Sequence, residues 1–278
     1  MRISSQQVFD SNLQSIQQHT SDVVEAQRQI SSGQKYRLAS DDALAAGLGV
    51  QIAWDKSQFA MFKVNQDHIN ASLTSTDAQL NSINIALTKF QQMVVQARNG
   101  ALSADNRKLL GQQAAALHNA VSQFANTKDA NGQNILREEP VSSTLVAPSI
   151  ELETGLSYLE VMGGNGDTTR QDVLFVLNHI REQLDDGIAP SDADMNDVQA
   201  VLKQVTRAQV KTGLLQNQLD AATESADVQK TNVELQRSIL LDTDLATATA
   251  SSVKSNALLQ AAQSVMTKLD VNTLFQKL

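Results

Sequence analysis

Apolar residues recur in steps of three and four through most of this chain. Near its start Phe9, Leu13, Ile16, Val23 and Ile30 keep that rhythm, with the polar Thr20 and Gln27 filling the same seam. Residues three and four apart share one face of an α-helix, so the pattern predicts a helix over 4–31 with a coiled-coil-like stripe. Gly33 stops it, and Ser40 or Asp41 is placed to cap the next helix. That second helix is expected from about 42 to 99. Ile69, Leu73, Leu80, Ile83, Leu87, Phe90 and Val94 form its stripe, and Gly47 and Gly49 weaken its first turns. Asn99-Gly100 ends it. Ser103 then caps a third helix to about 127, its face marked by Leu110, Leu117, Val121 and Phe124.

The rhythm breaks between 129 and 167. Asn131-Gly132, Pro140, Pro148, Gly155 and Gly163-Gly164-Asn165-Gly166 punctuate this stretch. Ile150-Glu151-Leu152 and Tyr158-Leu159-Glu160-Val161 alternate in polarity and predict a small β-hairpin region. Val173, Leu174, Leu177, Ile180 and Leu184 then mark a fourth helix over about 169–186. Ser191, with Asp194 three residues on, reads as a capping box opening a last helical arm to about 268, with a break expected near 242–244. Some 75 helical residues would span roughly 110 Å, more than a single compact domain holds. Proline removes a helix hydrogen bond and clashes with the preceding turn. All three prolines, Pro140, Pro148 and Pro190, lie in the middle of the chain. The expected fold is therefore mainly α: an elongated antiparallel bundle of long helices with a small β-hairpin region. A rod of this kind offers no concave enzyme pocket.

The end of the last arm has unusual chemistry. Between Leu245 and Thr267, Lys254 is the only charged residue, and Ala, Ser, Thr, Gln and Leu make up most of the rest. A lone surface helix normally keeps a charged face toward water. Small uncharged side chains instead permit close helix contact on more than one side. The expectation is burial against other chains, with Leu258, Ala262, Val265 and Leu269 as the most regular seam; a plain alanine-rich helix packed within its own chain is the alternative.

Composition narrows the choice of function. The 278 residues carry a net charge of −8, and no basic face suited to nucleic acid or an anionic membrane is visible. Aromatics are only 4%, so the core is aliphatic. With no cysteine, disulfides and thiolate metal sites are excluded. No apolar run is long enough for a signal peptide or a bilayer span. The four histidines, His19, His68, His118 and His179, sit on four separate predicted helices. His179 and Glu182 share a helix face, yet no further ligand completes a metal motif. Gly163-Gly164-Asn165-Gly166 lacks the Lys-Ser/Thr of a phosphate loop. Asp185-Asp186, Asp192, Asp194 and Asp197 lie at helix ends, where capping and solvation account for them. No catalytic, cofactor or metal site is predicted.

Several short motifs carry a resemblance. Met1-Arg2-Ile3-Ser4, Ile30-Ser31-Ser32-Gly33 followed by Ser40-Asp41-Asp42, Asn99-Gly100-Ala101-Leu102-Ser103, the turn Asp129-Ala130-Asn131-Gly132-Gln133-Asn134-Ile135-Leu136 and the terminal Leu274-Phe275-Gln276 resemble the bacterial flagellin family, with the two ends pointing to its hook–filament junction branch. The likeness covers about 1–136 and 168–278. It implies an inner assembly domain from the terminal helices, 1–32 and 245–278, and connectors at 33–48 and 236–244. It further implies a helical rod domain from 49–128 and 168–235, with a small β/loop region at 129–167 in place of a larger outer domain. Gln91 and Gln92 stand where many flagellins carry the Arg and Glu that innate immune receptors read.

The function expected from this likeness is structural. The chain would leave the cell through the flagellar export apparatus, escorted by an export chaperone, and lie in the extracellular flagellum. It would form a ring with copies of itself, with a neighbouring hook-associated protein on one side and flagellin on the other. Phe9, Leu13, Ile16, Val23 and Ile30, with Leu258, Ala262, Val265 and Leu269, would be the assembly interface, and the terminal helices would be mobile until neighbours cover them. The alternatives are a short flagellin filament subunit and a soluble coiled-coil signalling or adaptor protein.

Overall fold

The computed structural model describes residues 3–129, 131–164 and 171–275, with side chains described within 7–268. Seven helices and one hairpin make up the regular structure of these residues: α1 Ile3–Ser32, α2 Ala43–Ala97, α3 Ala104–Ala125, β1 Ser143–Ala147, β2 Ile150–Glu153, α4 Tyr158–Met162, α5 Val173–Asp185, α6 Asp192–Leu241 and α7 Leu245–Phe275. The fold is mainly helical with one small antiparallel sheet. The chain packs as two units. One holds the residues up to Ser57 and those from Lys230 onward; the other is Gln58–Gln229.

The middle unit holds the core. The α2 stripe predicted from spacing is buried throughout: Ile69, Leu73, Leu80, Ile83, Leu87, Phe90 and Val94 are all fully covered. From Leu80 onward it packs with Leu110, Ala114 and Val121 of α3, with Val173, Leu177 and Ile180 of α5, and with Val198, Val201 and Val205 of α6. Ile69 and Leu73 belong to a second cluster with Val146, Ala147 and Leu152 of the hairpin and Leu215 and Leu219 of α6. The cap residues fix where these helices begin. Ser103 Oγ accepts the Asn106 N–H at 3.2 Å to open α3. At α6, Ser191 Oγ accepts the Asp194 N–H at 3.2 Å, while Asp194 Oδ2 accepts the Ser191 N–H at 2.6 Å and its hydroxyl at 2.7 Å. Two of the unpaired donors at the helix start are thereby met.

The hairpin differs from the sequence expectation. Its strands are 143–147 and 150–153, paired antiparallel with an irregularity between Leu145 and Ala147. Tyr158–Met162 is a short helix instead, because Ser157 caps it: its hydroxyl accepts the Glu160 N–H at 2.9 Å. A local side-chain cap outcompetes a two-residue alternation that has no partner strand.

The terminal unit is built around two aligned breaks. The break after α6 falls at 242–244, and the one after α1 begins at Gly33, which takes φ +68°. The Lys35 N–H donates to the Leu241 carbonyl, and the Thr243 N–H donates to the Gly33 carbonyl, both at 2.9 Å. The α2 cap is Asp42 rather than Ser40 or Asp41. Asp42 Oδ1 accepts the Ala45 N–H at 2.9 Å. Asp41 turns back and holds the N–H groups of Arg37 and Leu38, which pull its carboxyl below the ordinary range. The helix begins one residue later than Asp41 could serve. Asp244 opens α7, accepting the Ala246 N–H at 2.9 Å and the Thr247 hydroxyl at 2.7 Å.

Candidate assembly surface

Helices α1 and α7 pack against each other. Burial marks the side each turns inward. On α1, Asn12, Ser15, His19, Asp22 and Gln29 are half-buried and Ala26 is fully buried, again in steps of three and four. On α7 the matching side is Ala248, Ser252, Ser255, Leu259, Ala262 and Met266. Most of this seam is small or polar, and its larger apolar members, Ile16, Val23, Leu259 and Met266, are only half-buried. It allows close approach but takes little apolar surface from water.

Other large apolar side chains of both helices stay exposed. Phe9 is 38% exposed, Leu13 41% and Ile30 37%; on α7, Leu258 is 41% and Val265 46% exposed. Of the residues expected to form the interface, Ile16, Val23 and Ala262 are half-buried along the paired side. Phe9, Leu13, Ile30, Leu258 and Val265 are each left more than a third exposed, and the side chain of Leu269 lies outside the described residues, as do Met1, Arg2 and Gln276 of the terminal motifs.

The imbalance extends over the whole terminal unit. Among its described residues only Ala26, Ala45, Ile52, Ala248 and Ser255 are buried. Val8, Val24, Leu44, Leu48, Val50, Trp54, Leu235, Ile239, Leu245 and Val253 join the five exposed residues above. Covering a Val, Leu or Phe side chain completely is worth roughly 1.5–3 kcal/mol. This unit leaves most of that gain unrealised. Spacing alone could not have found Trp54 or Val253. The small residues at Ala248, Ser252 and Ser255 did carry a three-and-four rhythm that a search for larger side chains passes over.

The other features noted in the sequence make local contacts. Among the described residues no three His, Asp or Glu side chains converge as metal ligands. The His179 ring stacks on Phe175, and its Nε2 lies 3.0 Å from Gln183 Nε2. Glu182 accepts from Asn178 at 2.8 Å. Asp185 pairs with Arg181, Asp192 with Arg98, and Asp197 accepts from Gln171. Gly163 closes α4 at φ +72°, where an added Cβ would strike the Gln171 carbonyl; Asn165 and Gly166 lie outside the described residues. No helix among the described residues is long and apolar enough to cross a membrane.

Comparison with known proteins adds to this geometry. Residues 3–139 match the bacterial flagellin N-terminal helical region, and residues 195–278 match the C-terminal helical region. Flagellar hook-associated protein 3 of Escherichia coli (strain K12) is 26% identical over 249 residues, covering 86% of this chain and 76% of its own. The protein of the same name in Salmonella typhimurium is 24% identical, with the same coverage. A flagellar filament 31.3 kDa core protein of Treponema maltophilum is 24% identical, covering 88% of this chain and 87% of its own. Among solved structures, flagellar hook-associated protein 3 of Legionella pneumophila superposes with a TM-score of 0.61 at 13% identity, over 68% of this chain and 98% of that one. The flagellar junction protein FlgL of the same organism gives 0.55 at 12% identity, over 70% and 99%. At such identities these two structures speak for the shared fold.

Proposed function

The chain belongs to the bacterial flagellin family, and we propose that it is a structural part of the flagellum, joining hook to filament and assembling through its terminal helices. The names of its two enterobacterial relatives support the hook-associated assignment. The observation that carries the assembly part is the terminal unit's surplus of exposed apolar side chains over its five buried residues. A second copy set against α1 and α7 supplies the missing burial.

In this reading 1–32 and 245–278 form the inner assembly domain, with Phe9, Leu13, Ile16, Val23, Ile30, Leu258, Ala262, Val265 and Leu269 at its interface. Residues 33–48 and 236–244 connect it to a helical domain of 49–128 and 168–235, with 129–167 as a small appended region. The partners are copies of the chain in a ring, a neighbouring hook-associated protein and flagellin, reached by flagellar export with an escorting chaperone. The role calls for no catalysis.

Deletion of the gene tests it: cells are expected to make hooks without filaments and to shed flagellin into the medium. Normal filaments would reject the junction role. One observation favours a second reading, a short filament subunit: the Treponema filament protein matches along 87% of its own length. Copy number in sheared filaments separates the two, since a junction needs only a ring's worth.

A further inference from the structure

A cavity of about 200 Å³ opens between α2 and the turn at 129–137, lined by His68, Ser72, Ser75, Asp129, Asn131 and Arg137. Arg137 is held there before anything binds. Its backbone N–H donates to the Leu156 carbonyl at 2.8 Å, and its carbonyl accepts the Tyr158 N–H at 2.7 Å. Its side chain passes Gly155 at a distance where an added Cβ would make an ordinary contact, 3.6 Å, with Arg137 Cγ. The backbone of Arg137 is thus fixed in advance, which lowers the ordering cost of binding.

The guanidinium has only neutral acceptors. Nη1 donates to Gln133 Oε1 at 2.7 Å, and Nη2 makes a long bond to Ser72 Oγ at 3.4 Å. Nε is covered by protein and has no acceptor. By contrast Arg28, Arg98, Arg181 and Arg237 each have a carboxylate within ion-pair distance. The one carboxylate lining the cavity, Asp129, is held toward its own turn, where Oδ1 accepts the N–H groups of Asn131 and Gln133, both at 2.9 Å. Among the described residues no carboxylate lies within ion-pair distance of this guanidinium, and a partly desolvated cation so placed is stabilised by an anion brought from outside.

We propose that this cavity is a socket for the carboxylate side chain of a second copy of the chain, gripped by Arg137. Charge favours that occupant: each copy carries 30 acidic against 22 basic residues, so a neighbour presents surplus carboxylates. Beside His68, the α2 side of the socket is made of the small residues Ala71, Ser72 and Ser75, which let an incoming side chain reach the guanidinium. The entering oxygen takes the Nη2 donor now spent on the long Ser72 bond. The proposal rests on the self-assembly part of the reading above and adds a contact in the middle unit, apart from the terminal helices.

The test places a photo-crosslinking amino acid at Asn131 in the full chain, in cells that build flagella. Crosslinks in the assembled structure are expected between copies, on a peptide bearing Asp or Glu. Arg137→Gln should lower their yield about tenfold, the scale of one charge-assisted hydrogen bond, and Arg137→Lys should fall between. Thermal unfolding of each variant reports on the fold; should Arg137→Gln unfold, the crosslink map of the chain with Arg137 intact decides alone. Crosslinks confined to one chain, crosslinks only to a different protein, or a yield indifferent to Arg137→Gln would each overturn the socket. Inter-copy crosslinks in cells whose filaments survive gene deletion would keep the socket and remove the junction role. Their absence in cells where deletion abolishes filaments would do the reverse.

Discussion

Val265→Asp separates folding from assembly. Val265 lies on α7 at 46% exposure. In the lone chain the replacement carboxylate stays in water, and Val and Asp have similar helix propensities, so the cost is a few tenths of a kcal/mol. The middle unit, Gln58–Gln229, does not contain this residue and should unfold at its usual temperature. Assembly is affected differently. Nearly half of the Val265 side chain remains to be covered, worth about 1 kcal/mol of the roughly 1.5–3 available from complete burial. An unpaired carboxylate in that contact adds a desolvation penalty of several kcal/mol, repeated in every copy of a ring. Val265→Ala keeps the surface apolar and should lose only the first part. The assay compares thermal unfolding of the purified variants with filament counts on cells producing them. Expected are unchanged unfolding of the middle unit, near-normal filaments for Val265→Ala, and bare hooks for Val265→Asp. Full-length filaments on Val265→Asp cells would refute the exposed stripe as an assembly surface.

Other perturbations address the middle unit. Leu80→Ala empties a fully buried position and should destabilise by about 3 kcal/mol, read in denaturant unfolding. Gly111→Ala should destabilise by about 1 kcal/mol despite the better helix propensity of alanine, because the new methyl runs into Asp185 of α5 and disturbs its 2.8 Å pairing with Arg181. Asp194→Ala should cost about 1 kcal/mol by opening the capping box of α6. Burial raises the Asp194 carboxyl, but its bonds to Ser191 and Gln183 and the nearby His179 outweigh this and hold it below the ordinary aspartate value. Its contribution is therefore present above about pH 4 and lost as pH falls through the folded-state value. Asp194→Asn should flatten that part of an acid-unfolding curve.

What the sequence revealed divides along physical lines. In α2 the large apolar residues at 69, 73, 80, 83, 87, 90 and 94 all point one way, and the core follows from them directly. The capping box at Ser191 and Asp194 and the break at 242–244 were equally open to reading, because each rests on residues next to one another. The hairpin was misplaced because Ser157 caps a helical turn at Tyr158, a local bond that short alternation does not reveal. The terminal helices were harder still. Their stripe of Phe9, Leu13 and Ile30 has the rhythm of a core, yet within the chain each stays more than a third exposed, and the fully buried positions of the α1–α7 contact are the small residues Ala26, Ala248 and Ser255. Periodicity tells which residues share a face; it cannot tell whether the face meets its own chain or another. Arg137 was invisible for a related reason. Its lack of a counter-charge depends on Gly155, Gln133 and Ser72, which only the fold brings together.

The central claim is that the terminal unit buries too little by itself and becomes firmly ordered when neighbours cover it. Amide hydrogen exchange measured on the dilute, isolated chain and again on intact flagella tests this directly. The account predicts rapid exchange along α1 and α7 in the isolated chain, beside slow exchange in α2 and α5 of the middle unit, and strong protection of α1 and α7 after assembly. Equal, strong protection of α1 and α7 in both samples would contradict it.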